Sequence, residues 1–239
     1  MKLQLVEKRV EAKNTQSFFW QPEKKIDYLP GQFFYFTIPK LAFEDSKGPT
    51  RHFTISSSPT EGEIIRFTTR IRDKSGYKQS LKNLTVGTQI EGQGPNGTFI
   101  LDDKEPGPHV FLAGGIGITP FRSFIKYNID KKINTVMHLI YSNSSPELIT
   151  FRKELEDWSG NFANIKVQLT VSRPQDNKSS WEGPVGRIDE QLIGEHQKSL
   201  QSPTYWIAGP PVMVDAMENI LQKLKVPSNK IRTEKFTGY

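Results

Sequence analysis

The sequence predicts an antiparallel β barrel followed by an α/β domain with a doubly wound parallel sheet. Up to about residue 104, apolar and polar residues alternate with a period of two, which is typical of strands with one buried face. Beyond residue 108, short apolar runs alternate with longer segments of helical spacing, which favours a parallel sheet. The intervening segment 102–108, DDKEPGP, is polar and turn-forming. We therefore expect domains at residues 1–105 and 106–239.

Four segments of the first half predict strands, at residues 32–39, 51–57, 64–72 and 88–93. Turn-forming residues lie between them in the sequences LPG, PTEG, KSGY and PNG. Several short strands without long helices favour a closed antiparallel barrel. Residues 76–84, GYKQSLKNL, are the exception and predict one short helix.

Strands and helices are predicted in alternation along the second half. In chain order, the predicted elements are the strand HVFLA, the helix PFRSFIKYN, the strand TVMHLIY, the helix PELITFRKELEDW, the strand IKVQLTV followed by a loop, the strand TYWIA, the helix PPVMVDAMENILQKLK and the strand IRTEKF. Pro120 is the expected first residue of the first helix, because proline suits that position. A doubly wound sheet of this kind binds ligands at the carboxyl edge of its strands.

The chain has 239 residues and no cysteine. The absence of sulfur ligands excludes disulfides, thiolate zinc sites, cysteine-ligated iron–sulfur clusters and a cysteine nucleophile. Any redox chemistry must therefore use a bound organic cofactor. We interpret the four histidines as dispersed structural residues and predict no metal site: they are His52, His109, His138 and His196.

The net charge of +6 comes from 32 Lys and Arg residues that are scattered among 26 Asp and Glu residues. We expect a basic surface of ordinary kind and no nucleic-acid partner, because the cations are not clustered. No apolar run approaches the roughly 18 residues of a membrane span. The first residues also lack an apolar signal core, so the expected location is the cytoplasm.

Two glycine-rich turns predict a nucleotide site. Residues 113–120, AGGIGITP, and residues 208–214, AGPPVMV, each follow a strand and open a helix. Glycines let a ligand approach the backbone, and the amides at a helix start favour phosphate. One such turn alone is equally consistent with a structural role. Two of them at the carboxyl edge of one parallel sheet favour nucleotide binding.

A third group of residues with binding chemistry lies in the barrel, where the segment RHFTISS contains Arg51, Phe53 and Thr54. Strand alternation sends Arg51 and Phe53 to the same face. A guanidinium suits a pyrophosphate, an aromatic ring suits stacking, and a hydroxyl can hydrogen-bond a ring nitrogen. The alternative is an ordinary barrel strand with Phe53 in the core.

Taken together, these segments resemble the ferredoxin-NADP reductase family along essentially the whole chain. The motifs that carry the resemblance are PGQF at 30–33, RHFT at 51–54, GPNG at 94–97, GGIGITP at 114–120, AGPPVM at 208–213 and EKFTGY at 234–239. The resemblance implies an FAD-binding barrel, an NAD(P)-binding second domain, and hydride transfer from the nicotinamide to the flavin. Electrons would then pass to a separate acceptor.

The resemblance also implies individual roles for the barrel residues. Arg51 would bind the FAD pyrophosphate, Phe53 would stack on the isoalloxazine ring, and Thr54 would lie near flavin N5. The ring's polar edge and the pyrophosphate would be bound by residues of a neighbouring strand and of the turn that follows it. These residues are Arg70, Ile71, Arg72, Gly76, Lys78, Gln79 and Ser80.

For the nucleotide, the resemblance implies Gly115 and Gly117 at the pyrophosphate and Thr119 near the nicotinamide. The second nucleotide turn would contain Gly209, Pro210 and Met213. Near the chain's end, Glu234 and Phe236 resemble the family's acidic residue and the aromatic that covers the flavin ring. The predicted catalytic residues are Thr54, Thr119 and Glu234.

Three positions depart from the family pattern. Phe53 replaces a more usual tyrosine, Gln79 stands where serine is common, and Ala208 stands where many relatives have cysteine. The family's phosphate-reading Ser–Arg pair matches Ser172 and Arg173, so the sequence favours NADPH over NADH.

The expected acceptor is a small acidic electron-carrier protein that docks on Lys74, Lys78 and Lys82 near the flavin turn. Two other functions stay open. The chain could be a reductase of free flavin, or a non-catalytic subunit that only binds nucleotides. A nucleic-acid binder is the least favoured alternative.

Overall fold

The computed structural model describes residues 1–105, 107–174 and 181–237, which form two sheets. The six strands of the first sheet are β1 (Lys2–Ala12), β2 (Thr15–Pro22), β3 (Phe33–Thr37), β4 (Thr50–Thr54), β5 (Ile65–Arg70) and β6 (Gln89–Asn96), and helix α1 (Gly76–Asn83) follows β5. They are antiparallel in the order β4-β3-β6-β1-β2-β5. A bridge between Ile55 and Phe67 joins the two edges. The predicted antiparallel barrel is confirmed.

Strands β1 and β2 form a hairpin that the sequence pattern does not single out. Leu3 and Leu5 are buried on one face of β1, but the pairing register shifts between Leu5 and Glu7 and again between Val10 and Ala12. A bulge adds one residue to a strand and so moves later side chains to the opposite face. The alternation of apolar residues is therefore lost halfway along β1.

Aromatic rings fill the barrel. Phe67 stacks on Phe53 with ring centroids 4.4 Å apart and planes 7° apart, and Phe36 lies 4.3 Å from the same ring. Trp20 and Phe18 also stack on Phe67, with ring centroids 6.1 Å and 5.3 Å away. Offset aromatic contacts of this kind stabilise a core beyond simple burial, by about 0.5 to 1.5 kcal/mol per pair.

The second sheet has five parallel strands, β7 (His109–Gly114), β8 (Met137–Asn143), β9 (Ile165–Val171), β10 (Thr204–Gly209) and β11 (Ile231–Lys235). Its helices are α2 (Ile118–Asp130), α3 (Arg152–Asn161), α4 (Glu190–Lys198) and α5 (Pro211–Lys223). The order β11-β10-β7-β8-β9 reverses between β7 and β10, where doubly wound sheets bind nucleotides. The predicted parallel sheet is confirmed. No helix of the described residues is both long and apolar enough to cross a bilayer.

Helix α2 begins two residues earlier than the sequence suggests. A 3-10 turn spans Gly115–Gly117, and the helix begins at Ile118, so Pro120 is its third residue and not its first. The prediction for Pro120 was wrong because the amides of the whole first turn lack partners inside the helix. A proline is therefore tolerated at the third position as well.

The region between β8 and β10 also differs from prediction. Helix α3 begins at Arg152, because Phe151 has a φ of 61°, a left-handed conformation that interrupts a helix. Helix α4 lies in the expected loop, capped by Asp189. His196 of α4 is buried and hydrogen-bonds His138 of β8, with 3.0 Å between their Nδ1 atoms. These two histidines are thus paired, and the prediction that all four are dispersed was wrong.

The two domains share a core at the expected boundary. Phe99 and Leu101 precede that boundary but pack into the core of the second domain, where Phe99 lies 5.2 Å from the Trp206 ring. Gly31 of the PGQF motif lies directly against the Phe99 carbonyl and the Phe124 ring. A side chain at Gly31 would push the domains apart. The limits 1–105 and 106–239 stay a prediction.

Arg122 of α2 is the main polar contact between the domains. Its guanidinium donates to Glu61 Oε2 at 2.6 Å and to the Ser56 carbonyl at 2.8 Å in the barrel. It also donates to Glu154 Oε2 at 2.8 Å in α3. Only 2% of Arg122 is exposed. A buried, fully paired arginine at this position fixes how the domains meet and so positions the cleft beside it.

Candidate functional site

A cleft of about 1280 Å³ lies between the barrel and the second domain. Its walls include parts of β2, β4 and β5, the start of α2 and the end of the chain. The predicted site residues that line it are Arg51, Phe53, Thr54, Arg70, Ile71, Arg72, Lys78, Thr119, Glu234 and Phe236. Residues of both domains, far apart in sequence, thus meet at one cavity.

Arg51 lies at the cleft with an internal partner. Its Nη2 donates to Asp45 Oδ1 at 2.5 Å, and its Nη1 donates to the carbonyls of Lys47 and Gly48 at 3.0 Å each. The guanidinium also lies 5.1 Å from the centre of the Tyr77 ring. These contacts hold Arg51 at the start of α1, which is where the sequence predicts a pyrophosphate-binding arginine.

Asp45 lies at the same place and was not predicted from the sequence. Besides Arg51, it accepts hydrogen bonds from the Tyr77 amide at 2.9 Å, Ser75 Oγ at 3.0 Å and the Lys47 amide at 3.0 Å. Burial by itself would raise the pKa of Asp45, but these four donors lower it to about 2. Asp45 is therefore ionised at neutral pH. It lies in a loop without any motif, so no sequence signal identifies it.

Three amides at the start of α1, those of Tyr77, Lys78 and Gln79, have acceptors within the protein. The Lys78 amide donates to Ser75 Oγ and the Gln79 amide to the Ser75 carbonyl. Gly76 packs against the backbone of Glu44, and a Cβ there would collide with it. These three amides can bind a pyrophosphate, as predicted, only if their internal acceptors move away.

Gln79 and Ser80 do not line the cleft. Gln79 Nε2 donates to the Arg72 carbonyl at 3.1 Å, and Ser80 Oγ accepts from the Phe43 amide at 2.9 Å. Both side chains hold neighbouring backbone in place. Their predicted role as direct cofactor contacts stays untested.

Phe53 is both a core residue and a cleft residue. It is 7% exposed, stacks on Phe67 inside the barrel, and lines the cleft with its remaining surface. The two alternatives for Phe53 are therefore compatible. Thr54 follows it as a buried polar residue in the cleft wall.

Four neighbouring cations line one side of the cleft: Arg51, Arg70, Arg72 and Lys78. Burial, together with the charges of Arg72, Arg70 and Arg51, lowers the pKa of Lys78 to about 8. Arg70 Nε is buried without a hydrogen-bond partner among the described residues. Lys78 is only 6% exposed, so it cannot form part of an exposed docking face with Lys74. That part of the docking prediction was wrong.

The two glycine-rich turns pack against each other. A Cβ at Gly117 would collide with the Ala208 carbonyl, and one at Gly114 would collide with Met213 Sδ. Gly115 has a φ of 52° and open space beside it. Gly117 therefore serves close packing between β7 and β10, whereas Gly115 is open to a ligand.

The end of the chain passes across this edge of the sheet. Gly209 and Pro210 form the second turn, ahead of α5. The Gly209 carbonyl accepts a hydrogen bond from the Phe236 amide at 2.9 Å, which ties the chain end to this turn. Burial raises the pKa of Glu234 to about 7, and its Oε2 has no hydrogen-bond partner among the described residues. Thr119 Oγ1 donates to the Ile116 carbonyl at 3.1 Å. Residues 238–239 of the EKFTGY motif lie outside the described residues.

Ser172 and Arg173 lie at the carboxyl end of β9, away from the cleft lining. Their amides donate to the carbonyls of Asn143 and Ser144, which places them beside the end of β8. Arg173 is exposed. A nucleotide reaching from Thr119 along the sheet edge would pass toward them.

The polar groups of the cleft fit a flavin dinucleotide. A wall of Arg51, Arg70 and Lys78 suits a diphosphate, and the aromatic surface of Phe53 suits a flavin ring. The unpaired Nε of Arg70 and Oε2 of Glu234 are buried groups that a ligand could satisfy. Within the part of the chain that the structure describes, no three His, Asp or Glu side chains gather as a metal site requires.

Comparison with protein families matches most of the chain. Residues 2–100 match the oxidoreductase FAD-binding domain, and residues 111–219 match the oxidoreductase NAD-binding domain. These matches follow the order of the two sheets. Both cofactor-binding domains predicted from the sequence are confirmed.

Several curated proteins are similar along nearly the whole chain. The anthranilate 1,2-dioxygenase electron transfer component of Acinetobacter baylyi is 26% identical over 217 residues, covering 90% of this chain and 60% of that protein. NADH-cytochrome b5 reductase 1 of Dictyostelium discoideum is 28% identical over 237 residues, covering 97% of this chain and 80% of that protein. The chain spans about half to two thirds of the length of the first curated relatives it matches.

Solved structures show the same fold. The ferredoxin reductase in carbazole 1,9a-dioxygenase superposes with a TM-score of 0.82 at 22% identity, covering 99% of this chain and 68% of that one. The cytochrome b5 reductase domain of Ulva prolifera nitrate reductase superposes with a TM-score of 0.81 at 22% identity, covering 98% of this chain and 96% of that one. With an FAD-binding domain followed by an NAD-binding domain in this fold, the chain belongs to the ferredoxin-NADP reductase-like family of oxidoreductases.

Proposed function

We propose that this chain is a reductase that takes hydride from a pyridine nucleotide onto FAD and passes electrons to a separate acceptor. The observation that carries the proposal is the shared cleft, which Arg51 and Thr54 of the barrel line together with Thr119 and Glu234 of the second domain. When bound, FAD would supply hydride acceptance followed by release of single or paired electrons.

The barrel wall would bind and orient the flavin. Arg51, Arg70 and Lys78 supply positive charge for the diphosphate, and charge-assisted hydrogen bonds are the strong ones. Phe53 offers a stacking surface that Phe67 holds rigid from behind. The Thr54 hydroxyl can hydrogen-bond a ring nitrogen, as the resemblance implies.

The second domain would bring the nicotinamide to the flavin. The turn at Gly115 binds phosphate, and Thr119 positions the nicotinamide. Glu234, with a pKa raised to about 7 by burial, can hold or release a proton near neutral pH. Phe236 lines the cleft beside it and would move aside when the nicotinamide arrives.

The experiment that tests the flavin site measures FAD bound by the purified protein and by Arg51→Ala. We expect a yellow protein, and a variant with FAD affinity about ten- to a hundredfold weaker, since a charged hydrogen bond contributes about 1.5 to 3 kcal/mol. A colourless wild-type protein that binds no added FAD would overturn the proposal.

For the nucleotide we propose NADPH, on the strength of Ser172 and Arg173 at the end of β9. The guanidinium of Arg173 can pair with a ribose phosphate, and no acid stands at the end of β8 to bind a free ribose hydroxyl. Some relatives carry NADH in their names, so preference for NADH is the alternative.

For the acceptor we propose a small acidic electron-carrier protein. Lys74 and Lys82 are exposed and line the cleft, so they offer a positive surface near the flavin. Electron transfer to such a carrier should slow steeply with added salt, because exposed charges are screened. A rate that salt leaves unchanged would contradict electrostatic docking.

A reductase of free flavin is the second candidate. It is favoured by the bonds between Asp45 and Arg51, because donors occupied by an internal carboxylate would hold FAD weakly. Loss of flavin on gel filtration, with continued reduction of added flavin, would support it. A non-catalytic nucleotide-binding subunit would show neither flavin nor NADPH oxidation.

A further inference from the structure

The carboxylate of Asp45 occupies an anion site inside the proposed flavin cleft. Four donors converge on it, from Arg51, Ser75, Tyr77 and Lys47. Only 7% of its side chain is exposed. Negative charge at the start of a helix is favourable, because the first amides and the helix dipole point toward it.

The same donors are those that a flavin diphosphate needs. The guanidinium of Arg51 and the first amides of α1 are the predicted pyrophosphate ligands, and Asp45 takes Arg51 and the Tyr77 amide. The hydroxyl and the carbonyl of Ser75 accept hydrogen bonds from the next two amides, those of Lys78 and Gln79. A diphosphate can reach Arg51 and Tyr77 together only where the carboxylate withdraws, since two anions at one set of donors repel each other.

The chain around Asp45 is attached by few contacts. The segment 43–48 is exposed at Phe43, Glu44 and Lys47. Beyond Asp45 itself, it is held by the hydrogen bond from the Phe43 amide to Ser80 Oγ, by the packing of Glu44 on Gly76, and by the Lys47 and Gly48 carbonyls, which accept from Arg51 Nη1. A segment with solvent on its outer side can shift without opening either core.

We propose that Asp45 is an internal competitor of the FAD diphosphate and thereby determines which flavins the cleft retains. It weakens binding of flavins with a phosphate or diphosphate and leaves binding of riboflavin unaffected. FAD binding displaces the 43–48 segment. The inference rests on the proposed flavin site, and it adds a residue of this chain that sets cofactor retention.

The test compares the affinities of flavin-free protein for FAD, FMN and riboflavin by flavin fluorescence, in wild type, Asp45→Asn and Asp73→Asn. Asp73 lines the same cleft without contacting Arg51, so it controls for general loss of negative charge. We expect Asp45→Asn to tighten FAD by about tenfold or more and to leave riboflavin unchanged. Asp73→Asn should change FAD by no more than about threefold.

Weaker FAD binding by Asp45→Asn, no change, or an equal change for riboflavin would overturn the competition and make Asp45 a residue that positions Arg51. Wild-type protein that binds none of the three flavins would overturn the flavin site itself, and the competition with it. If wild type binds FAD and Asp45→Asn binds it with the same affinity, only the competition is overturned and the flavin site stands.

Hydrogen–deuterium exchange of the wild-type protein supplies a second measurement if the variant fails to fold. The Phe43 amide donates to Ser80 Oγ of α1, outside the segment. FAD should speed exchange at this amide, because displacement of the segment breaks that bond. Slower exchange there on adding FAD would overturn the proposal.

Discussion

Arg122 and Arg70 both lie where the two domains meet, yet their surroundings differ. Arg122 has a carboxylate or carbonyl acceptor for each of its nitrogen atoms. Arg70 lines the cleft, and its buried Nε has no partner among the described residues. Arg122 therefore holds the scaffold together, whereas the unpaired Nε of Arg70 is available to a ligand in the cleft.

The largest effect should follow loss of Arg122. Arg122→Met removes the buried cation that pairs with the half-buried carboxylates of Glu61 and Glu154, and breaking a buried pair costs up to about 3 to 5 kcal/mol. Urea unfolding should show this loss of stability. The control Arg152→Met removes an exposed pair with Glu156 and should cost less than about 1 kcal/mol. Equal losses of unfolding free energy in Arg122→Met and Arg152→Met would contradict the structural role of the buried arginine.

Arg70 should behave in the opposite way. Arg70→Met removes no hydrogen bond of its Nε, so the unfolding free energy should stay within about 0.5 kcal/mol of wild type. FAD affinity should fall about ten- to a hundredfold, since a charged hydrogen bond to the ligand is lost. Titration of flavin-free protein and urea unfolding measure both. A destabilised variant with normal FAD binding would reverse the assignment.

The paired histidines His138 and His196 lie outside the cleft lining and provide a third buried group for the comparison. Burial, together with the nearby His138, lowers the pKa of His196 to about 4. The unfolded chain binds the proton at about pH 6.5. Stability is therefore complete above pH 6.5 and falls as the pH drops toward 4, by on the order of 1 to 2 kcal/mol.

The matched variant His196→Gln should flatten this pH dependence. Unfolding by urea at pH 7 and pH 5 checks it, with the difference between the two pH values as the readout. An identical difference in wild type and variant would exclude the histidine pair as its source.

The smallest effect concerns nucleotide choice. Arg173→Ala should raise the Michaelis constant for NADPH about tenfold and leave that for NADH nearly unchanged, because only NADPH carries the ribose phosphate. Steady-state oxidation of both nucleotides checks it. The exposed Arg187, on a neighbouring loop, supplies the control. An equal change for both nucleotides would make Arg173 a solvated loop residue.

The sequence predicts the two sheets and most of the cleft wall. Residues such as Thr54 and Thr119 lie in motifs whose order fixes where they meet, so their convergence follows from the topology. Asp45 lies in no motif, and its contacts depend on how one loop folds over α1. The burial of Lys78 depends on packing in the same way, because the helical spacing of its segment does not indicate how the cleft wall covers it.

The central claim is that one cleft holds a flavin that a pyridine nucleotide reduces. Anaerobic titration of FAD-loaded protein with NADPH, and separately with NADH, tests it through the visible flavin absorption. The account predicts stoichiometric bleaching, faster with NADPH. Flavin that binds to the protein but keeps its absorption with either nucleotide would contradict it.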